Sequence, residues 1–181
     1  MFKVSVPIIT PPTGPRKFGL APLLCENPRI LILGSLPGDE SIRRQEYYGN
    51  TRNFFWEVLA GVFGDRVPGS YPEKKALLAK YHIVLWDVCC SAIREGSRDA
   101  NIREPLPNDI AALLGQHPSI RTVVLNGGKA ARDFRHFRIG DSPAFKGVKV
   151  FRLTSTSPTS RSAGWPPERI TAQWRAVLNE L

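Results

Sequence analysis

The stretch Ile30-Leu31-Ile32-Leu33-Gly34-Ser35-Leu36-Pro37-Gly38 decides the fold that we predict for this chain. Its first four residues form a short apolar run, which is typical of a strand buried on both faces of a sheet. The run stops at a turn bracketed by Gly34 and Gly38, where the missing Cβ atoms let the backbone approach a ligand closely. No Gly-Lys-Ser/Thr sequence follows, so the turn is not a phosphate-binding P-loop. On these residues alone, an ordinary tight turn after a strand explains the pattern equally well.

Two adjacent rings and an amide follow this turn. Tyr47 and Tyr48 come first, and Asn53 stands at the head of the apolar segment Phe54-Phe55-Trp56. A tyrosine ring can stack on a base, which is worth roughly 1–3 kcal/mol per base. An asparagine amide can hold a water molecule or cap a helix, and capping is its commoner role. The segment therefore indicates a pocket for a flat ligand, with simple core packing expected for one of the two tyrosines.

Strand-like and helix-like patterns alternate after residue 28. The predicted strands span residues 30–33, 82–88, 121–125 and 148–153. The predicted helices span residues 53–63, 73–80, 109–115 and 128–137, with a last helix opened by Pro166-Pro167-Glu168. We expect Gly64 to end the first helix and Asn108 to cap the third. Apolar strands separated by helices imply an α/β fold with a mostly parallel, four-stranded sheet covered on both faces.

The predicted sheet locates the candidate site. Ligands of such sheets bind beyond the carboxyl ends of the strands. Four segments follow those ends, at residues 34–53, 87–99, 126–132 and 154–165, and we expect them to converge. Residues 1–28 form a proline-rich N-terminal segment that is expected to wrap the surface or stay partly mobile. Residues 29–181 are expected to form one domain.

Three features beyond the turn carry polar groups. Asp87 interrupts an apolar strand, so its carboxyl needs a partner or a role, the plainest being a hydrogen bond to backbone. Asn126 precedes Gly127-Gly128 at a strand end, where a turn asparagine is the commoner interpretation. The hydroxyl-rich loop at 154–162, with Arg161, is suited to bind phosphates or to serve as a flexible linker. The charged residues of 94–99 are most simply a solvated face, namely Arg94, Glu95, Arg98 and Asp99.

Composition limits the class of protein. The formal net charge is +9, which favours a polyanionic partner such as nucleic acid, although a basic protein need not have one. Three cysteines form neither a disulfide framework nor a four-thiolate cluster, so a reducing cytoplasm fits best. The three histidines show no metal-ligand spacing. We find no secretory signal and no apolar window of about 20 residues that would span a membrane.

Five pieces of sequence form a pattern when they are taken in order: GSLPGDES (34–41), YYGNTRNFFW (47–56), LWDV (85–88) with REGS (94–97), LNGGKA (125–130) and STSP (155–158). Through them, roughly residues 18–181 resemble the uracil-DNA glycosylase superfamily. Within it, the likeness is greatest to the hypoxanthine-DNA (deoxyinosine) glycosylases, which are related to the mismatch-specific uracil/thymine-DNA glycosylases. Any one piece is weak evidence, whereas the ordered set is specific.

The resemblance implies a fold and an activity. The fold is a three-layer α/β/α sandwich around the central sheet. The activity is that of a monofunctional DNA N-glycosylase of base excision repair, without metal or cofactor. Such an enzyme flips a deaminated base, here hypoxanthine of deoxyinosine, and water attacks C1′. The expected partner is DNA with a deaminated base, and we expect a cytoplasmic monomer with no membrane partner.

The resemblance also assigns roles to residues. Asn53 is the expected catalytic residue that positions the water, and Asp39 is a second candidate for that contact. The expected base-binding residues are Gly34, Ser35, Leu36, Tyr48, Asp87 and Asn126, with Tyr48 stacking on the flipped base. The expected DNA-binding residues are Ser155, Ser157, Thr159 and Arg161, with Thr159 near the place where relatives insert a wedge.

Two departures from the family pattern bear on the substrate. Mismatch-specific relatives carry a water-positioning asparagine where this chain has Leu36, and STSP replaces the histidine-containing motif of the uracil enzymes. Both argue against uracil activity. Two alternatives remain open on the sequence: a mismatch-specific uracil/thymine-DNA glycosylase, and a non-catalytic nucleic-acid-binding module of the same fold.

Overall fold

The structure, a computed structural model, describes residues 14–179. The first part of the proline-rich segment lies outside the described residues, as does Leu181 of the predicted last helix. The strands are β1 (Arg16–Phe18), β2 (Ile30–Gly34), β3 (Ile83–Asp87), β4 (Cys89–Ile93), β5 (Arg103–Pro107), β6 (Thr122–Asn126) and β7 (Lys149–Leu153). The α-helices are α1 (Asp39–Arg44), α2 (Phe55–Phe63), α3 (Tyr71–Lys80), α4 (Ile110–Gln116), α5 (Gly128–His136), α6 (Thr159–Ser162) and α7 (Pro167–Leu178).

A four-stranded parallel sheet forms the centre of the molecule, as predicted. Its strand order is β3-β2-β6-β7, and all three pairings are parallel. Every residue of β2 is buried, which is the consequence of an apolar strand in the middle of a covered sheet. The four predicted strands therefore exist, each within a residue or two of its expected bounds.

Helices cover both faces of this sheet, which confirms the three-layer arrangement. Successive residues of β2 alternate between two apolar clusters: Ile32 packs in one with α2 and α7, and Leu33 packs in the other with α4 and α5. This alternation follows from the two-residue period of a strand. Trp174 of α7 is fully buried and stacks edge-on against Phe55 of α2, at 6.1 Å between ring centres.

One of the two predicted helix ends is confirmed and the other is wrong. Gly64 ends α2 in the left-handed conformation, with φ of 69°, as expected. The prediction that Asn108 caps the following helix was wrong. Asp109 is the cap, since its side chain accepts a hydrogen bond from Ala112 N at 2.9 Å. Asn108 instead donates to the backbone oxygen of Asp87, at 2.8 Å.

A second, antiparallel sheet of order β1-β4-β5 was not predicted. β4 begins two residues after β3 ends and lies in the segment 87–99, to which the sequence pattern assigned no strand. β5 contains two prolines, which normally argue against a strand and are tolerated here because β5 lies at the edge. Arg16–Phe18 pairs with Ser91–Ile93 and so ties part of the N-terminal segment to the body of the fold. The division at residue 28 stays a prediction.

Among residues 14–179, no helix has the length and apolar character needed to cross a membrane.

Candidate active site

The carboxyl ends of the parallel strands place the predicted site residues at one edge of the sheet. Gly34 ends β2 and is paired in register with Asp87, which ends β3. Asn126 ends β6 and is paired with Leu153, the last residue of β7. The polar segments that follow these strands therefore start side by side, as the parallel topology requires.

Gly34 and Asp87 are in direct contact. A Cβ atom on Gly34 would overlap Asp87 Oδ1, and it would lie 3.6 Å from the Tyr48 hydroxyl. Glycine is therefore required here by space rather than by backbone conformation. The same geometry puts the carboxyl of Asp87 and the hydroxyl of Tyr48 on one side of the turn.

The carboxyl of Asp87 is buried, and one of its oxygens lacks a hydrogen-bond partner among the described residues. The residue is 5% exposed, and Oδ2 has no hydrogen-bond partner among the described residues. Burial raises the pKa of Asp87 to about 7, with a smaller contribution from the negative charge of Asp99, while Arg94 opposes the rise. A carboxyl with these properties at the edge of a sheet is a candidate functional group.

Arg94 is buried beneath the turn of residues 34–38 and binds its backbone, so its assignment to a solvated charged face was wrong. It is fully buried, and its guanidinium donates to the carbonyl oxygens of Leu36, at 3.3 Å, and of Pro37. Glu95, Arg98 and Asp99 are exposed, as expected. The sequence pattern around Arg94 is charged throughout, so it did not indicate that one guanidinium would be buried to satisfy backbone carbonyls.

Ser35 and Leu36 contribute differently to the turn. The Ser35 hydroxyl donates to Asp99 Oδ1 at 2.8 Å. Leu36 is 5% exposed, and its side chain packs in the apolar cluster beneath α4 and α5. Because that side chain is in the core, the backbone is what Leu36 can offer to a ligand.

The ring of Tyr48 is supported by a stacked aromatic residue, Phe55. Its ring stacks on Phe55 with 3.7 Å between centres and 8° between planes, and its φ of 51° is in the left-handed region. Burial raises the pKa of the Tyr48 hydroxyl, with Asp87 adding to the rise, so the hydroxyl stays neutral. Tyr47, by contrast, is buried and its hydroxyl donates to the Ala21 carbonyl, so the prediction of core packing for one of the two tyrosines is confirmed.

Asn126 connects Tyr48 to the loop after β7. Its Nδ2 donates to the Tyr48 hydroxyl and to Thr156 Oγ1, both at 3.0 Å. Its Oδ1 accepts from Thr156 N, also at 3.0 Å. Both amide protons and the oxygen are thus engaged within the protein. Thr156 is fully buried, and sequence reasoning missed it because it stands among similar hydroxyl residues.

Asn53 lies at the start of α2, next to the same loop. Its Oδ1 accepts a hydrogen bond from the N–H of Phe55, the first residue of α2, at 3.0 Å, and the N-cap position itself is occupied by Phe54. The adjacent Phe54 N donates to the Thr156 carbonyl at 2.9 Å and joins this segment to the loop. Asn53 is half-buried, and its Nδ2 makes no hydrogen bond within residues 14–179. The amide is therefore fixed in orientation through its oxygen while its nitrogen is available.

The loop after β7 has a defined conformation. Ser155 packs against Gly127, where a Cβ would lie 2.7 Å from Ser155 Cβ and φ is 102°, so glycine is required at that position. Ser157 N donates to Ser155 Oγ at 3.1 Å, and the hydroxyls of Ser157 and Thr159 are 3.1 Å apart. These contacts argue against a flexible linker.

Thr159 and Arg161 are exposed, and both lie in the short helix α6. The guanidinium carbon of Arg161 lies 5.1 Å from the centre of the Phe54 ring. This contact places a positive charge over the ring of Phe54, the neighbour of Asn53 in the chain.

Asp39 is placed apart from the other catalytic candidate. Its carboxylate forms an ion pair with Lys17 of β1, and its backbone N–H donates to Ser97 Oγ at 2.9 Å. The Asp39 side chain is half-exposed, and within the described part of the chain its contacts do not include Asn53.

A basic groove adjoins the site through Asp99. It has a volume of about 670 Å³, and its charged lining residues are Asp99, Arg103, Lys129, Arg132, Asp133 and Arg135. Lys129 pairs with Asp133 at 2.6 Å, whereas Arg132 and Arg135 are exposed. Over residues 14–179, no three His, Cys, Asp or Glu side chains are grouped so as to hold a metal ion.

Comparisons with known proteins agree with the motifs. The family model described as "Uracil DNA glycosylase superfamily" matches residues 21–179. A hypoxanthine DNA glycosylase of Methanosarcina acetivorans is 44% identical over 115 residues, which cover 63% of this chain and 73% of the relative. The protein of the same name from Methanosarcina barkeri is 39% identical over 116 residues, covering 64% and 73% of the two chains.

A solved structure shows the same fold. The solution NMR structure of a candidate uracil DNA glycosylase from Methanosarcina acetivorans superposes with a TM-score of 0.76 at 36% identity. The match covers 91% of this chain and 98% of that one. With the family model spanning nearly all described residues, these matches establish that the chain belongs to the uracil DNA glycosylase superfamily.

Proposed function

We propose that this protein is a DNA glycosylase of base excision repair that removes deaminated bases, foremost hypoxanthine from deoxyinosine. The observation that carries the proposal is that the buried carboxyl of Asp87 and the hydroxyl of Tyr48 face the same turn, while Phe55 contacts both the ring of Tyr48 and the amide oxygen of Asn53. The two relatives named hypoxanthine DNA glycosylase support the choice of base.

Tyr48 is the stacking platform in this proposal. Phe55 supports one face of its ring, and Asn126 fixes its hydroxyl, so little conformational entropy is lost when a base stacks on it. Extruding the base costs a few kcal/mol, and stacking recovers roughly 1–3 kcal/mol of that cost. Asn126 serves as a positioning residue, because its own polar atoms are already bonded to Tyr48 and Thr156.

Asn53 positions the attacking water. A carbonyl oxygen has two lone pairs, of which Phe55 N–H uses one, so the other accepts a hydrogen bond from the water and directs the water oxygen toward C1′. The C1′–N9 bond breaks with its electron pair going to the purine, and the water oxygen bonds to C1′. The water's proton passes to solvent, from which the departing purine is protonated. Asp39 remains a secondary candidate, since Lys17 already neutralises its carboxylate.

The turn and Asp87 bind the base. The backbone N–H groups of Ser35 and Leu36 donate no hydrogen bond to another described residue, so they are free to meet the base edge. Gly34 lets the carboxyl of Asp87 approach the same place. Donors fixed in this way stabilise the negative charge that grows on the departing purine without further reorganisation.

The loop after β7 binds the DNA backbone in this proposal. The hydroxyls of Ser155, Ser157 and Thr159 meet phosphate oxygens, and Arg161 supplies the charge. A net charge of +9 suits a polyanionic partner. We also propose that the protein acts as a cytoplasmic monomer without a membrane partner, and its three free thiols are compatible with a reducing compartment.

A strand-scission assay tests the function. Labelled duplexes and single strands that contain inosine, xanthine, uracil or thymine opposite guanine are incubated with the protein and then treated with alkali. Preferential cleavage at inosine supports the proposal. Preferential cleavage at uracil or at mismatched thymine supports the mismatch-specific alternative, whereas binding without cleavage of any substrate supports a non-catalytic module.

A further inference from the structure

The buried carboxyl of Asp87 lacks the partner that an ionised carboxylate needs. Oδ1 lies against Gly34, and Oδ2 has no hydrogen-bond donor among the described residues. No ion pair involves Asp87 within that part of the chain. Burying an unpaired charge is costly, so such a group either becomes neutral or awaits a ligand that donates to it.

The groups that face Asp87 do not supply that charge. Arg94 is the cation that acts on the charge of Asp87, but its two terminal nitrogens donate to the carbonyls of Leu36 and Pro37. Its Nε has no hydrogen-bond partner within residues 14–179. Asp99 adds a second negative charge on the other side of the turn, next to Ser35.

The charge of Asp87 also acts on three neutral groups, namely Tyr47, Tyr48 and Cys89. Burial raises the pKa of each of them. The surroundings therefore favour the neutral carboxyl over the carboxylate. The pKa of Asp87, raised to about 7 mainly by burial, is consistent with this geometry.

The protonation state decides which base edge Asp87 can bind. Hypoxanthine presents a donor, N1–H, beside an acceptor, O6. A neutral carboxyl presents an acceptor beside a donor, whereas a carboxylate presents acceptors alone and would place a negative charge against O6.

We propose that Asp87 works as a neutral carboxyl, whose hydroxyl donates to O6 of the flipped hypoxanthine while its carbonyl oxygen accepts from N1–H. This inference rests on the proposed function and adds to it the state of one residue. As the glycosidic bond breaks, negative charge spreads over the purine and strengthens the hydrogen bond to O6. An ionised Asp87 would instead repel the departing base.

The test is a pH profile of single-turnover hypoxanthine excision, with saturating protein, from about pH 5.5 to about 9. The natural protein is compared with Asp87→Asn and Asp87→Ala. The asparagine offers the same donor and acceptor at every pH, while alanine offers neither. We expect the natural rate constant to fall by roughly tenfold per pH unit on the alkaline side. The Asn variant should show no such fall, and the Ala variant should be at least about tenfold slower throughout.

A third variant keeps Asp87 and is designed to lower the pKa of its carboxyl. Asp99→Asn removes a neighbouring negative charge, which makes Asp87 easier to ionise, so the alkaline fall should begin at lower pH. This variant tests the inference even where substitution of Asp87 itself disturbs folding, which thermal unfolding and binding to inosine-containing DNA would reveal.

The outcomes separate this inference from the function on which it rests. No excision of hypoxanthine by the natural protein at any pH overturns both. Excision with the same alkaline fall in Asp87→Asn overturns the neutral carboxyl alone, as does a natural profile that Asp99→Asn leaves unmoved. A flat profile for Asp87→Asn and a shifted one for Asp99→Asn support it.

Discussion

The side chain of Asn126 donates a hydrogen bond to the Tyr48 hydroxyl at 3.0 Å, and this bond joins the end of β6 to the ring that stacks on Phe55. The same amide makes two hydrogen bonds to Thr156, so one side chain fixes both the stacking platform and the loop after β7. Its contribution to catalysis is therefore expected to be indirect.

Asn126→Ala should lower the free energy of unfolding by about 2–4 kcal/mol, because it leaves the buried Thr156 N–H and Oγ1 without partners. Excision should also slow, since Tyr48 loses its anchor. Thr156→Val is the matched control: it removes one of the three bonds and should cost about 1 kcal/mol. Chemical denaturation measures both. An Asn126→Ala protein with the stability of the natural one would contradict this account of the contact.

Asn53→Ala should retain binding to inosine-containing DNA while losing cleavage, because the water-positioning oxygen is gone. The substitution also removes the hydrogen bond to Phe55 N, which is worth about 1 kcal/mol of stability. Asn53→Asp keeps an acceptor for that N–H and separates the two effects: stability should return, and any difference in rate reflects the amide itself. Binding is followed by gel shift and cleavage by strand scission. Near-normal turnover of Asn53→Ala would remove this residue from the mechanism.

The sequence predicted the central parallel sheet better than it predicted the contacts of the buried polar side chains. The central strands were found because runs such as 30–33 are apolar throughout, and that signal is local. The small antiparallel sheet was missed because its strands are three to five residues long and β5 contains two prolines. Pairing between these strands, which the local sequence does not reveal, stabilises them.

The roles of buried polar groups depend on contacts far apart in the chain, so the sequence did not specify them. Arg94 was placed at the surface because its neighbours are charged, yet it satisfies carbonyls 57 and 58 positions away. The resemblance implies that Asn126 binds the base, and in the structure its amide is engaged by Tyr48 and Thr156. Asp87 was recognised because a carboxyl in an apolar strand conflicts with its surroundings, a conflict visible in the sequence itself.

Arg161→Ala should weaken binding to DNA of any sequence, with or without inosine. If its guanidinium neutralises one phosphate, the slope of log affinity against log salt should decrease by about 0.9. Arg66→Ala is the matched control, because Arg66 is an exposed arginine already paired with Glu73 at 3.0 Å. Fluorescence anisotropy over a salt series measures both. A loss of affinity confined to inosine-containing DNA would contradict a phosphate contact.

Asp87→Asn should stabilise the fold at neutral and alkaline pH and leave it nearly unchanged at acidic pH. The pKa of Asp87 is about 7 in the folded protein and near 3.8 when unfolded, so between these values the folded state holds a proton that the unfolded state lacks. The unfolding free energy of the natural protein therefore falls as pH rises through this window, by roughly 1.4 kcal/mol for each unit of the pKa difference. The Asn variant has no proton to lose. Urea denaturation at about pH 4 and at about pH 8 measures the difference, which should grow with pH. An equal difference at both values would mean that the buried carboxyl is not neutral in the folded protein.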